Sequence, residues 1–123
     1  MRTESKILKE ICDYHNITLT FTETKEILET IEDVLNNDQG YIELDGMEFR
    51  LIDEVAISDI HQEEIESLVK DCYLNGNELP WWIEIDWDRT AQNVAKGDGY
   101  GHHFSTYDGS ELYVDGWYIF RVN

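Results

Sequence analysis

The chain is expected to fold as an α+β domain, and three features of the sequence predict it. Apolar residues recur at helical spacing in several short stretches. An Asp45-Gly46 pair divides two alternating, β-rich runs, 41–44 and 47–52. Most aromatic residues gather in a tail broken by further Asp-Gly pairs. Together they predict short amphipathic helices, a β-hairpin and a C-terminal antiparallel β-rich half. All of it falls within a single acidic domain spanning residues 1–123, a usual one-domain length.

Each element has its own signal. Ile7, Leu8, Ile11 and Tyr14 predict a helix over 4–14, and Ile17 to Phe21 alternate as a short strand or extended link. Thr22 or Thr24 can cap a helix running to about Asn36. Asp45-Gly46 suits the positive φ angles of a type I′ turn. Ser58 is expected to cap a helix over 59–74, closed by Asn75-Gly76. After Pro80, residues 81–85 read as a strand, and Asp86 caps a helix over 87–96 that the glycines at 97, 99 and 101 end. Residues 102–107 and 112–122 read as β-structure.

Charge is the dominant property. Twenty-seven Asp and Glu against nine Lys and Arg leave −18 at pH 7. Such a charge repels nucleic acids and anionic membranes and attracts basic surfaces. No apolar run reaches the roughly eighteen residues of a membrane span, and the N-terminus carries charges where a secretory core would be apolar. A cytoplasmic protein is expected, with neither direct nucleic-acid binding nor a membrane, and with a homodimer possible. Cys12 and Cys72 fall at apolar helical positions and read as reduced core residues.

The charge is concentrated. From Glu26 to Glu66 fourteen acids face one base, Arg50, a net of −13 in 41 residues. On the second helix Ile27, Leu28, Ile31, Val34 and Leu35 share one side, while Glu23, Glu26, Glu29 and Asp33 line the other. Their steps of three and four residues space the charges about 5–6 Å apart along the axis. Like charges at that spacing destabilise a helix by a few tenths of a kcal/mol. The expected partner-binding set is Glu26, Glu29, Glu32, Asp33, Glu43, Asp45, Glu48, Asp53, Glu54, Asp59, Glu63 and Glu66. The bland competitor is a solvated acidic face that only maintains solubility.

Catalytic chemistry finds less support. His61 lies on an apolar helix face, and a lone His61-x-x-Glu64 pair does not define a metal site. His102 and His103 are expected to start a strand and point to opposite faces. Asp86 and Asp88 read as a helix cap and first-turn acid, and the glycines of 97–101 follow a helix, the wrong order for a phosphate loop. No nucleophile with its base can be assembled, so no enzyme activity, cofactor or metal is expected. Ten of the fifteen aromatics lie in the last 43 residues, and an aromatic core is preferred over a sticky surface.

The segment 83–93, Ile-Glu-Ile-Asp-Trp-Asp-Arg-Thr-Ala-Gln-Asn, leads through a glycine-rich turn to a closing Trp-Tyr-Ile-Phe-Arg at 117–121. This last third resembles the C-terminal part of ArdA-type antirestriction proteins and of small phage proteins with a similar ending. Gln92-Asn93 stands where that family tends to have Arg-Asp. The resemblance implies an acidic DNA mimic of phages or mobile elements that occupies the DNA-binding groove of a host restriction enzyme. The expected function is therefore inhibition of a host defence nuclease, a restriction enzyme or a CRISPR effector. The alternatives are an adaptor using the C-terminal aromatics, with acidity only for solubility, and a small hydrolase using His102 or His103.

Overall fold

Two tight hairpins build one sheet in the computed structural model, which describes residues 1–75 and 77–123. Strands β1 (Gln39–Leu44) and β2 (Met47–Asp53) turn at Asp45 and Gly46, whose φ angles of 51° and 76° fit the expected type I′ turn. Strands β3 (Leu112–Val114) and β4 (Trp117–Arg121) turn at Asp115 and Gly116, also at positive φ. β4 pairs antiparallel with β2, giving the order β1-β2-β4-β3. The class is α+β.

Helices cover both faces of the sheet. On one face α1 (Thr3–His15) and α2 (Phe21–Leu35) pack Ile7, Leu8, Ile11, Ile31 and Val34 against Ile42, Leu44, Phe49, Leu51, Trp117 and Ile119. On the other, α3 (Ile57–Leu68) and α4 (Trp87–Phe104) bring Ile57 and Phe104 onto Ile52 and Phe120. Double coverage explains why β2 buries four consecutive residues, 49–52. It also accommodates the neighbours Trp117 and Tyr118, one packed into each core. Among the described residues no helix is long and apolar enough to cross a membrane.

Several boundaries differ from expectation. Of the two readings of residues 17–21, the link holds for 17–20, with Ile17 and Leu19 sealing the first core. Thr20, not Thr22 or Thr24, caps α2, because Glu23 three residues on completes a reciprocal capping box. Phe21 thereby becomes the first helical residue and points into solvent. Ser58 caps nothing: α3 begins at Ile57, which is needed in the core, and Asp53 Oδ1 ties the preceding turn by accepting from Val55 N. α3 ends at Leu68 and gives way to one π-helical turn, Val69–Tyr73. The expected closing turn at Asn75-Gly76 lies partly outside the described residues; Asn75 itself has φ 51°.

The larger corrections concern α4. Asp86 caps it as expected, accepting from Arg89 N at 3.0 Å. The glycines interrupt it as expected: Gly99 (φ 75°, ψ 170°) leaves helical geometry, and a second helical stretch follows across this kink to Phe104. Gly101 permits this, since a Cβ there would lie 2.5 Å from Gly109 O. His102 and His103 are therefore helical, not strand residues. Residues 81–85 are likewise no strand. They cross from one helix of this face to the next with no sheet edge to join.

Candidate functional site

The acidic residues of α2 project from the face opposite its apolar contacts. Glu26, Glu29, Glu32 and Asp33 are all exposed. The β1–β2 hairpin places further acids beside them: Glu23, Glu26, Glu43 and Asp45 line one shallow depression with Leu19, Ile27, Thr30 and Leu44. Glu43 also stands directly opposite Glu48 in the register. Because the closing pair of a two-residue hairpin is hydrogen-bonded, this next pair is non-hydrogen-bonded, the geometry in which side chains approach most closely. Val122 N donates outward to Glu48 O, in keeping with that pattern.

The twelve expected residues do not form one patch. Glu29 and Glu32 line a different depression, toward Arg2 and Glu4 of the α1 end. Asp53 and Glu54 lie at the far end of β2 from the hairpin turn. There Asp53 holds Val55 N and Glu54 accepts a short hydrogen bond from Tyr113 Oη. Asp59, Glu63 and Glu66 sit on α3, across the sheet, and Glu66 pairs with Lys70 at 2.7 Å. Among the described residues, none of the other eleven has a Lys, Arg or His within salt-bridge distance. Nine of those eleven are exposed, Glu48 and Asp53 being half-buried.

The second constellation went unrecognised in the sequence. Arg50, the single base of the acidic segment, points into the α3–α4 face and is 9% exposed. Its Nη1 and Nη2 donate to Glu64 Oε1 and Oε2 at 3.2 and 2.7 Å, and its Nε donates to Gln39 Oε1 at 3.0 Å. His103 Nε2 lies 3.1 Å from Glu64 Oε1. The guanidinium stacks 4.9 Å from the Phe104 centroid and 5.6 Å from that of Tyr41. Burial pushes the Glu64 carboxyl up, but hydrogen bonds from His103 and Arg50, with their charge, hold it at about 2. His61 packs edge-on, 5.2 Å from His103, and its buried Nε2 has no hydrogen-bond partner among the described residues. Burial, and then the neighbouring His103, lower its pKa.

This network joins β1, β2, α3 and α4, and it also answers the two spacings that invited a catalytic reading. Glu64 of His61-x-x-Glu64 turns to Arg50 and His103 instead of sharing a ligand with His61. His102 is exposed and His103 half-buried, one residue apart on a helix. The signal available in advance was a lone Arg inside an acidic, β-rich run. An unpaired Arg there would be too costly to bury, so a carboxylate had to reach it. Of the cysteines, Cys12 is half-buried against the first core, whereas Cys72 is exposed on the π turn and is not the expected core residue. Compared with family models, with curated proteins and with solved structures, the chain matches none.

Proposed function

We propose that the protein inhibits a host defence nuclease, a restriction enzyme or a CRISPR effector, by presenting carboxylates to its nucleic-acid-binding groove. The reading rests on one observation. Eleven of the twelve acids singled out from the sequence have no cation within salt-bridge distance among the described residues. A face kept only for solubility would intersperse both signs. Here Glu23 and Glu26 of α2 and Glu43 and Asp45 of the hairpin instead gather around one depression, with Glu43 and Glu48 held opposite each other at a cost. The ArdA-like ending of the chain supports the same class of target. A cytoplasmic site of action inside a host cell, without catalysis, belongs to this proposal.

The experiment titrates the protein against purified restriction enzymes and CRISPR effectors while DNA cleavage is followed. Inhibition saturating at one equivalent, relieved by excess DNA and weakened steeply by salt, is expected. Inhibition indifferent to DNA and salt, or none across the panel, overturns the proposal.

A further inference from the structure

The aromatic tail divides in two. Phe104, Trp117 and Phe120 are buried, whereas Trp81 and Trp82 are 92% and 67% exposed. They sit in the crossing between the π turn and α4, beside a groove of about 490 Å³ lined by Leu74, Leu79, Ile83, Ile85 and Trp87. Residues 70–89 carry five acids and two bases, a net of −3. Lys70 is committed to Glu66. Exposed Asp71, Glu78 and Glu84 have no salt-bridge partner among the described residues.

We propose that Trp81, Trp82 and this groove form a second interface, which receives an amphipathic helix of a partner protein. That helix is apolar on the face entering the groove and rich in lysine or arginine along its flanks. Neighbouring tryptophans in water are unused apolar surface, and tryptophan is the residue most enriched where interfaces concentrate their binding energy. Strand addition is not available here, because the edges of the sheet are β1 and β3 and the groove is walled by helix ends and an irregular segment. Of the modes that remain, an amphipathic helix with charged flanks suits an apolar floor with acids beside it better than an uncharged polyproline segment does. Glu78 on the groove, with Asp71 and Glu84 nearby in the chain, selects basic flanks, since the one lysine of the lining, Lys70, is paired with Glu66; the same acids oppose a second copy of this chain. The inference goes beyond the acidic-surface reading and does not rest on it.

The test uses a synthetic leucine–lysine amphipathic helix, with a leucine–glutamate helix of the same pattern as its control. Tryptophan emission and the anisotropy of labelled peptide are the readouts. The leucine–lysine helix is expected to bind with a blue shift, and the leucine–glutamate helix is not. In the variant Trp81→Ser/Trp82→Ser the shift shrinks to what Trp87 on the groove wall contributes and affinity falls about tenfold or more, with the far-UV circular dichroism unchanged. The variant Glu26→Lys/Glu29→Lys/Asp33→Lys keeps the shift, which separates this surface from α2. Equal affinity with and without the tryptophans, absence of binding, or equal binding of the leucine–glutamate helix overturns the proposal. So does a dimer of the protein alone that the tryptophan substitutions dissolve.

Discussion

Glu64 Oε2 lies 2.7 Å from Arg50 Nη2, and this contact ties α3 to the centre of β2, between Phe49 and Leu51. Removing only the carboxylate charge strands a guanidinium whose side chain is 11% exposed. Breaking a fully buried pair costs about 3–5 kcal/mol. Glu64 is 37% exposed and keeps some water, so Glu64→Gln is expected to cost about 1–3 kcal/mol. Urea unfolding measures it. Arg50→Met/Glu64→Gln should recover much of the loss, since the apolar neighbours Phe104 and Tyr41 then meet a methionine.

Acid should weaken the fold in two stages. His61 has a folded pKa below its ordinary 6.5, chiefly through burial. As pH falls below 6.5 the unfolded chain binds that proton first, so stability declines until the lowered value is passed. Glu64 has a folded value of about 2 against an ordinary 4.5, so its contribution is full above 4.5 and is lost between 4.5 and 2. Both slopes have the same sign. His61→Phe should shrink the upper stage to what His15, also lowered by burial, contributes, and leave the lower one. Thermal unfolding of both proteins across this pH range checks the separation, and an unchanged upper slope would exonerate His61.

The bend of α4 depends on two glycines for different reasons. Gly101→Ala puts a methyl 2.5 Å from the Gly109 carbonyl oxygen, backbone that cannot swing aside. Gly99→Ala meets open space but must adopt φ 75°. Overpacking at Gly101 is expected to cost about 1–3 kcal/mol. The dihedral at Gly99, whose ψ of 170° puts it in an extended region that only glycine readily occupies, is expected to cost about 1–3 kcal/mol as well. Denaturant midpoints of the two variants report both costs. A loss at Gly101 well below about 1 kcal/mol would mean that the 105–110 loop yields.

What was legible in the sequence was local. The turn at Asp45-Gly46, the cap at Asp86 and the apolar side of α2 could be read because neighbouring residues decide them. The misreadings arose where distant packing overrode local preference. Residues 81–85 have strand composition but pair with no strand of the sheet. Residues 97–101 do terminate the first stretch of α4, but nothing local shows that the helix resumes to Phe104 with Gly101 packed against Gly109. The same holds for the site. The α2 acids followed from helical spacing, whereas the split of Glu29 and Glu32 toward α1 required knowing where α1 lies. Glu64 could not be matched to Arg50 and His103 without the helical continuation of α4.

Exposed charge on α2 should be separable from the fold. Glu26, Glu29 and Asp33 touch no cation among the described residues, and Ile31 and Val34 carry the buried contacts of the helix. Glu26→Lys/Glu29→Lys/Asp33→Lys is therefore expected to unfold within about 0.5 kcal/mol of the parent while losing inhibition. Undiminished inhibition by the folded variant would remove α2 from the interface.

The hairpin offers a sharper test, because stability and binding should move in opposite directions there. Glu43 and Glu48 face each other in the register, and among the described residues neither has a cation within salt-bridge distance. Changing Glu43 to Lys turns a repulsive cross-strand pair into an attractive one and is expected to stabilise the fold by about 0.2–1 kcal/mol. The same substitution places a cation in the depression shared with Glu23, Glu26 and Asp45. A basic groove that accepts these carboxylates as phosphates should then bind more weakly, with a shallower salt dependence because fewer opposite charges are paired. Glu43→Gln separates the two effects: it relieves the repulsion without adding a positive charge, so it should stabilise less and inhibit better than Glu43→Lys. Denaturation midpoints and inhibition titrations at two salt concentrations, run on the three proteins, give the order. Inhibition that rises or stays level as Glu43 passes from acid to amide to amine would show that the hairpin acids serve something other than a basic partner.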